Sequence, residues 1–467
     1  MEESAPAAPS SGRGTWIAVA AFVVGIVVGA AGVFGGGLLF PPAAEVGTPI
    51  VGTVVAVTGQ LDIFGPTIRL AVDLAQEEIN DAGGVLGQDI VVIHEDSQTA
   101  AAAGVTAASK LINVDGAQAI IGALASSVST PINEGVTTPS RVVQISPAST
   151  SPAFTDFNSK IPEADRFFFR TAPSDALQGV AGALYAFNTK GWRDMAILAR
   201  DDPYGSGLAE VFEVSFKALG GTITERVEYN TEALLFDTEL GQIFDSGPEA
   251  IWWVAFPGEG ELIMTQWWAN TAWRGPEWFW SEGTKGQEFV DTLTALGIGV
   301  EGMEGTAPIT ALGVSDNFDT FEAAFTAATG KDLVLFEQHS YDALYLIALA
   351  MQMGGAVDSD TIRDNLRAVS SPPGTAIGPG DWALALTEIG AGREINYEGA
   401  SGFANFDEFG DVGSDYEIWR ISQAGIIEGE ILRIPESDLT LSPPAPAYVS
   451  APSLGWEWSP QAVFARD

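Results

Sequence analysis

Cysteine is absent from this chain of 467 residues, and only two histidines are present, His94 and His339. Without cysteine the chain has no disulfide, no thiolate nucleophile and no zinc–cysteine site. A catalytic triad or a two-histidine metal site would have to use one or both of the two histidines. The residue inventory therefore argues against an enzyme, and it predicts neither a metal nor a cofactor.

Positive charge is also scarce, because 21 Lys and Arg residues stand against 61 Asp and Glu, for a formal net charge of −40. Such a surface repels a phosphate backbone, which excludes nucleic acid as a partner. An acidic composition suits concentrated salt or an acidic exterior, and it equally supplies general solubility; the composition leaves these alternatives open. The length predicts two or three domains.

An uncharged apolar run extends from Thr15 to Phe40. Since roughly 20 apolar residues cross a bilayer, we predict a transmembrane signal-anchor at 15–40, after a short cytoplasmic N-terminus at 1–14 and before a tether at 41–47. Its length favours a retained anchor over a cleaved secretory signal, which stays the alternative. Arg13 places the N-terminus in the cytoplasm. The remainder is then expected at the cell surface or on the periplasmic side of the plasma membrane, or secreted if the signal is cleaved.

Beyond the tether, short β-rich runs alternate with amphipathic stretches, which is the pattern of parallel sheets covered by helices. A second series of such units starts after Asp175. We therefore expect an α/β fold with two doubly wound sheets. The predicted strands are 51–57, 90–93, 119–122, 142–145, 195–198, 222–229 and 250–255. The predicted helices are 66–81, 100–112, one that opens near Pro131, one from Asp175 to about Lys190, and 207–219.

Polar residues follow several of the predicted strands, at the sheet edge where open α/β folds bind ligands. The sequence LASSVSTP, with Ser126 and Ser127, follows strand 119–122, and SPASTSP, with Ser149, follows strand 142–145. Hydroxyls and free N–H groups there can bind an anion, although plain helix capping explains them equally. Glu282 follows another strand. A carboxylate facing an anion site across a cleft suits a zwitterion.

Tryptophan is concentrated between Trp252 and Trp280. This group could form an aromatic wall of a ligand pocket or pack within the core. The adjacent residues Trp252 and Trp253 cannot face the same side of a strand.

Nine sequence blocks, in order and spacing, resemble the branched-chain amino-acid binding proteins of ATP-driven importers, which have a type I periplasmic-binding fold. The resemblance extends from about Thr48 to Trp419. The blocks include GxxxxxTGxxxxFGxxxxxxxxLAxxxIN from Gly52, GVLGQDIVVIHEDSQT from Gly84, IGALASSVSTP from Ile121, ISPASTSPAFT from Ile145, FFFRTAPSDALQG from Phe167, DDPYGSGLA from Asp201, FDTELGQIFDSGPEAIWW from Phe236, YDALYLIALAM from Tyr341 and YEGASGFANFDEFGD from Tyr397.

The resemblance implies two Rossmann-like lobes joined by a three-strand hinge. The N-terminal lobe is then expected at 48–173 and 312–412, and the C-terminal lobe at 174–311 and 413–467.

The resemblance also implies a ligand site between the lobes. Ser126 matches the hydroxyl that binds the ligand carboxylate. Ala148 and Thr150 match residues that contact both charged ends of the ligand. Glu282 matches the acid that pairs with the α-ammonium.

Four further positions complete the implied site. Asp175 matches an acid at the edge of the pocket, and Tyr204 matches an aromatic residue that closes the second lobe over the ligand. Phe256 and Phe64 stand where the branched-chain family carries aromatic residues facing the ligand, and at each of them a possible hydroxyl contact is missing.

The function implied is that of an extracytoplasmic solute-binding protein. It would capture a branched-chain, other apolar or aromatic amino acid, or a related small amide, by clamshell closure and deliver it to the permease of an ABC importer. Two alternatives stay open: a ligand-sensing receptor ectodomain of the same fold, and a cell-surface structural protein that has lost its ligand.

Overall fold

The computed structural model describes residues 47–309, 315–423, 425 and 427–434. The predicted N-terminus, the anchor at 15–40 and all but the last residue of the tether lie outside these residues. Within the described ranges, no helix combines the length and the apolar character that a membrane crossing requires.

Fifteen strands are present in the described residues. Their bounds are β1 Ile50–Val55, β2 Val91–Asp96, β3 Ala119–Gly122, β4 Val143–Ser146, β5 Phe168–Arg170, β6 Asp194–Arg200, β7 Thr222–Tyr229, β8 Ala250–Val254, β9 Glu277–Trp280, β10 Glu304–Pro308, β11 Thr375–Ile377, β12 Ile395–Gly399, β13 Gly402–Phe403, β14 Tyr416–Ile421 and β15 Ile427–Ile434.

The α-helices of the described residues connect and cover these strands. Their bounds are α1 Gly65–Asp81, α2 Ala101–Asn113, α3 Ser126–Ile132, α4 Thr138–Ser140, α5 Ala153–Ser159, α6 Asp175–Leu184, α7 Pro203–Ala218, α8 Asp237–Asp245, α9 Pro257–Ala269, α10 Gln287–Ala295, α11 Asp316–Thr329, α12 Glu337–Gly354, α13 Ser359–Ser370 and α14 Trp382–Gly390.

Two large sheets organise the described chain. The first has five parallel strands in the order β2-β1-β3-β4-β5, and the second has seven in the order β15-β14-β10-β9-β8-β6-β7. Strand β14 is antiparallel to both of its neighbours, β10 and β15, so β15 runs in the same direction as the parallel strands of the second sheet. The chain passes between the two sheets after β5, after β10 and before β14. The alternation of strands and helices predicted from the sequence is confirmed.

Helix α12 is buried from Glu337 to Met351. It packs against α1 and α13 on the first-sheet side, next to the small sheet β11-β12-β13. From Ala343 to Met351 the sequence is almost wholly apolar, as a helix with no exposed face requires, and the buried Asp342 accepts hydrogen bonds from Tyr397 and Ser401.

The prediction of a helix that opens near Pro131 is wrong. Helix α3 begins at Ser126, and Pro131 lies inside it. Proline lacks the N–H that would bond to the preceding turn. A wider π-helical turn, Asn133–Thr137, follows directly and leads into α4.

Trp252 and Trp253 face opposite sides of the second sheet, as predicted. The Trp252 ring stacks on Phe212 at 4.5 Å between ring centres, whereas Trp253 lies 5.0 Å from Trp280 on the other face. All four rings are buried. These tryptophans therefore form core packing.

Candidate ligand-binding site

A pocket lies where the carboxyl ends of strands from both sheets meet. The free cavity between its walls is about 30 Å³, so the walls lie close together in this structure. Its lining residues are Leu61, Phe64, Ile68, Leu124, Ser126, Ala148, Tyr204, Phe256, Glu282, Gly283, Leu335 and Phe336. Six of the ten residues predicted from the sequence are in this lining: Phe64, Ser126, Ala148, Tyr204, Phe256 and Glu282.

The first-sheet wall of the pocket is mostly apolar, with one hydroxyl. Ser126 is the first residue of α3, and its Oγ accepts a hydrogen bond from the backbone N–H of Ser151 at 3.3 Å. Ala148 lies in the loop after β4, and its N–H points toward Ser146 Oγ at 3.4 Å. The helix start and the strand end therefore reach the same pocket, as the strand-end pattern predicted.

Two serines of the predicted site lie away from the pocket lining. Ser149 is buried behind the wall, where its Oγ lies 2.8 Å from Ser129 Oγ and 3.1 Å from the carbonyl of Leu124. Ser127 is half-buried on α3 and is not in the lining. One residue along a helix turns a side chain by about 100°, so neighbours of a lining residue face elsewhere.

The second-sheet wall carries the acid. Glu282 opens a short 3₁₀ turn directly after β9 and is buried. Gln178 on α6 donates a hydrogen bond from Nε2 to Glu282 Oε2 at 2.5 Å. Burial raises the pKa of Glu282 to about 7, and the hydrogen bonds from Tyr204 and Gln178 oppose that rise.

Asp175 lies behind the lining rather than at the edge of the pocket, where the resemblance put it. It begins α6, and its N–H donates to the carbonyl of Thr150 at 2.8 Å, which holds it inside the fold. Thr150 Oγ1 in turn donates to Asp175 Oδ2 at 2.9 Å, so Thr150 also serves this acid and is not in the lining. Asp175 Oδ1 has no hydrogen-bond partner among the described residues. Burial first, and then the neighbouring Glu282 carboxylate, raise the pKa of Asp175 well above its usual range.

Two stacked aromatic rings complete the second-sheet wall. Tyr204 and Phe256 lie 5.3 Å apart and nearly parallel, and the Tyr204 hydroxyl lies 3.0 Å from Ser281 Oγ. Behind them the guanidinium of Arg200 covers the Phe256 ring at 3.6 Å. The wall is thus held in place from behind by a buried cation.

Several residues of the site were missed by the sequence analysis. Leu335 and Phe336 precede α12 and line the pocket from a distant part of the chain, with Phe336 in the left-handed region at φ 71°. No local motif marks this approach. Gln178 could have been found, because it lies one helical turn after Asp175 and therefore on the same face of α6.

Comparison with known proteins places this arrangement in a family. Residues 50–385 match the family model described as periplasmic binding protein. The chain belongs to that family. The resemblance inferred from the sequence blocks is confirmed, and membership implies an extracytoplasmic binding protein rather than an enzyme.

Three similar proteins illustrate the range of this binding-protein family. The chemotactic signal transduction system substrate-binding protein BasB of Halobacterium salinarum is 26% identical over 412 residues, which cover 83% of this chain and 90% of that protein. The Leu/Ile/Val-binding protein homolog 1 of Brucella suis is 28% identical over 220 residues, 46% of this chain and 56% of that relative. The crystal structure of a leucine-binding protein, LivK, from Thermotoga maritima superposes with a TM-score of 0.69 at 23% identity, covering 83% of this chain and 99% of that one, and shows the shared fold.

Proposed function

We propose that this binding protein captures an amino acid with an apolar side chain and delivers it to the permease of an ABC importer. The observation that carries the proposal is the buried Glu282 carboxyl in the pocket wall, with Asp175 close behind it. Among the described residues, neither carboxyl takes part in an ion pair. A buried carboxylate needs a cation, and an α-ammonium group supplies one.

The opposite wall supports the rest of the ligand. The Ser126 hydroxyl and the Ala148 loop suit its carboxylate. The apolar lining suits an aliphatic or aromatic side chain; it consists of Leu61, Phe64, Ile68, Leu124, Leu335 and Phe336. Tyr204 and Phe256 close the pocket from the second sheet. We place Thr150 as a support of Asp175, and Asp175 as an acid behind Glu282, rather than as ligand contacts. Ser127 and Ser149 lie outside the lining of the first-sheet wall.

Binding then couples to closure of two lobes, for which we keep the boundaries 48–173 with 312–412, and 174–311 with 413–467. Three or four charge-assisted hydrogen bonds, at about 1.5 to 3 kcal/mol each before the cost of association, give a dissociation constant near micromolar.

We further propose that residues 15–40 anchor the protein in the membrane, which keeps it close to its permease. Retention in washed membranes, lost when residues 1–40 are deleted, is the expected result; release of the full chain would contradict the anchor.

The ligand is tested by calorimetry with the twenty amino acids and the amides of those that bind. We expect one-to-one binding of at least one apolar amino acid. Glu282→Gln should weaken that binding at least tenfold, about 1.4 kcal/mol, because the ammonium loses its counter-charge. Glu301→Gln is the matched control, because Glu301 is exposed at the end of the segment before β10. If the wild-type protein binds none of these amino acids, the proposal is refuted and a surface protein without a ligand is favoured.

A second candidate role is the presentation of the same ligand to a membrane transducer. It is favoured by the relative from Halobacterium salinarum, whose name assigns it to chemotactic signal transduction and which aligns over 90% of its length. Deletion of the gene separates the roles, since loss of uptake indicates a permease, whereas loss of chemotaxis with normal uptake indicates a transducer.

A further inference from the structure

The loop between β1 and α1 reaches across the cleft, and its Gln60 side chain bonds to the opposite side. Its Nε2 donates a hydrogen bond to the carbonyl of Thr231, in the loop after β7, at 2.9 Å. Its Oε1 accepts one from Arg200 Nη2, at the end of β6, at 3.1 Å. Both ends of this amide therefore bond to the second-sheet side, while the backbone belongs to the first-sheet side.

The guanidinium that Gln60 contacts is fixed by its own partners. Arg200 is buried and ion-paired with Glu259 and with Asp202, the latter at 2.7 Å. The same group covers Phe256, which lines the pocket. Gln60 thus bonds to a rigid part of the second wall, directly behind the ligand site.

The facing surface is shaped to admit this loop. Gly258, in the first turn of α9, lies under the Gln60 side chain, and a Cβ there would be 3.2 Å from Gln60 Cγ. Gly286 lies under Ile63, where a Cβ would be 2.8 Å from Ile63 Cδ1. Side chains at these glycines would press against the loop when the two walls meet.

We propose that Gln60 is a positioning residue that holds the two lobes closed and sets how long the ligand stays bound. This inference rests on the proposed function. Bonds made only in the closed arrangement lower its free energy relative to the open one, and a ligand enclosed between the walls leaves through opening. Loss of the bonds therefore acts on dissociation more than on association.

The test compares Gln60→Leu with Gln118→Leu. Gln118 is the matched control because its amide bonds stay within the first-sheet side, to the N–H of Ile50 at 2.7 Å and to the carbonyl of Gly116 at 3.0 Å. Stopped-flow fluorescence with the amino acid found by calorimetry should show dissociation roughly tenfold faster for Gln60→Leu, with association changed less than twofold. Gln118→Leu should lower Tm and leave dissociation unchanged. Dissociation within twofold of wild type in Gln60→Leu would overturn the proposal.

A second measurement needs no ligand. Because the chain contains no cysteine, spin labels on Val114→Cys and Leu296→Cys are the sole labels, and both side chains are exposed, at 75% and 53%. Val114 follows α2 on the first-sheet side, and Leu296 follows α10 on the second. Gln60→Leu should shift the distance distribution between the labels in the unliganded protein. If no amino acid binds and this shift is present, the proposed ligand fails while the role of Gln60 stands; if no amino acid binds and the distances are unchanged, the role of Gln60 fails as well.

Discussion

Two groups of buried acids lie close together in the second-sheet side and differ in one respect. Glu259 and Asp202 share a buried arginine, Arg200, which bonds to both carboxylates. Asp175 and Glu282 receive neutral side-chain donors: Asp175 from Thr150, and Glu282 from Gln178 and Tyr204. In the first group, Arg200 neutralises the acids within the folded chain, so no ligand is needed to supply a cation. The second has no ion pair among the described residues, and it is where we propose that the charged ligand binds.

The two groups of acids avoid the free-energy cost of burying a charge in different ways. Removing one partner from a buried ion pair leaves a charge without compensation, which is strongly unfavourable. An acid without a partner avoids the same cost by keeping its proton, and its pKa rises.

Removing Arg200, the cation that pairs with Glu259 and Asp202, should give the greatest loss of stability. Arg200→Met should lower the free energy of unfolding by roughly 3 to 5 kcal/mol, because Glu259 and Asp202 stay buried without a counter-charge. Urea unfolding measures this loss. Arg141→Met is the control, since Arg141 pairs with exposed Asp165 and Asp360 and should cost under about 1 kcal/mol. Equal effects of the two variants would break the comparison.

Neutralising Glu282, which has no ion pair with the described residues, should raise the free energy of unfolding instead of lowering it. The folded protein holds a proton on Glu282 up to about pH 7, whereas the unfolded chain releases it near pH 4.5. The free energy of unfolding therefore falls as the pH rises from about 4.5 to about 7. Glu282→Gln should raise it by about 1 to 3 kcal/mol at pH 8 without ligand, and change it little at pH 4.5. Destabilisation at pH 8 would show that the carboxylate already has a partner.

Ligand affinity should follow the same ionisation. An ammonium group requires the ionised acid, so binding below about pH 7 must displace a proton. We expect the dissociation constant to rise up to tenfold for each pH unit below 7, and to be nearly flat from pH 7.5 to 8.5. Calorimetry in buffers of different ionisation enthalpy will count the protons released. The residual binding of Glu282→Gln should be much less dependent on pH, and an identical profile would assign the titration elsewhere.

The smallest expected effect concerns the support of Asp175. Thr150→Val keeps the shape of the side chain and removes the donor to Asp175 Oδ2. Ionising the acid pair then becomes harder, and the affinity for the amino acid should fall about two- to fivefold. Thr106→Val is the control, since its hydroxyl bonds only to its own exposed helix. An unchanged affinity would separate Asp175 from ligand binding.

Much of the fold could be predicted from local pattern. Strand bounds 119–122 and 222–229 agree with the structure, since apolar runs and turn residues define them locally. Pro131 misled the assignment of a helix start because the structure accommodates it within α3 by a following π-helical turn.

Some residues of the candidate site could likewise be predicted from local sequence, and others could not. Ser126 and Glu282 lie within four residues of the ends of β3 and β9, so their approach to the sheet edge could be predicted. Leu335 and Phe336 reach the site through tertiary packing, with nothing in their neighbouring residues to indicate it.

Helix α12 has a consequence for how the molecule moves. Its amide groups from Glu337 to Met351 are enclosed on every side, so hydrogen exchange there requires the surrounding half of the protein to come apart. Bending the part of the protein that contains the first sheet and α12 would therefore cost much free energy. We therefore expect the first-sheet wall of the pocket and α12 to move as one body, and the proposed closure to be concentrated in the three connections between the sheets.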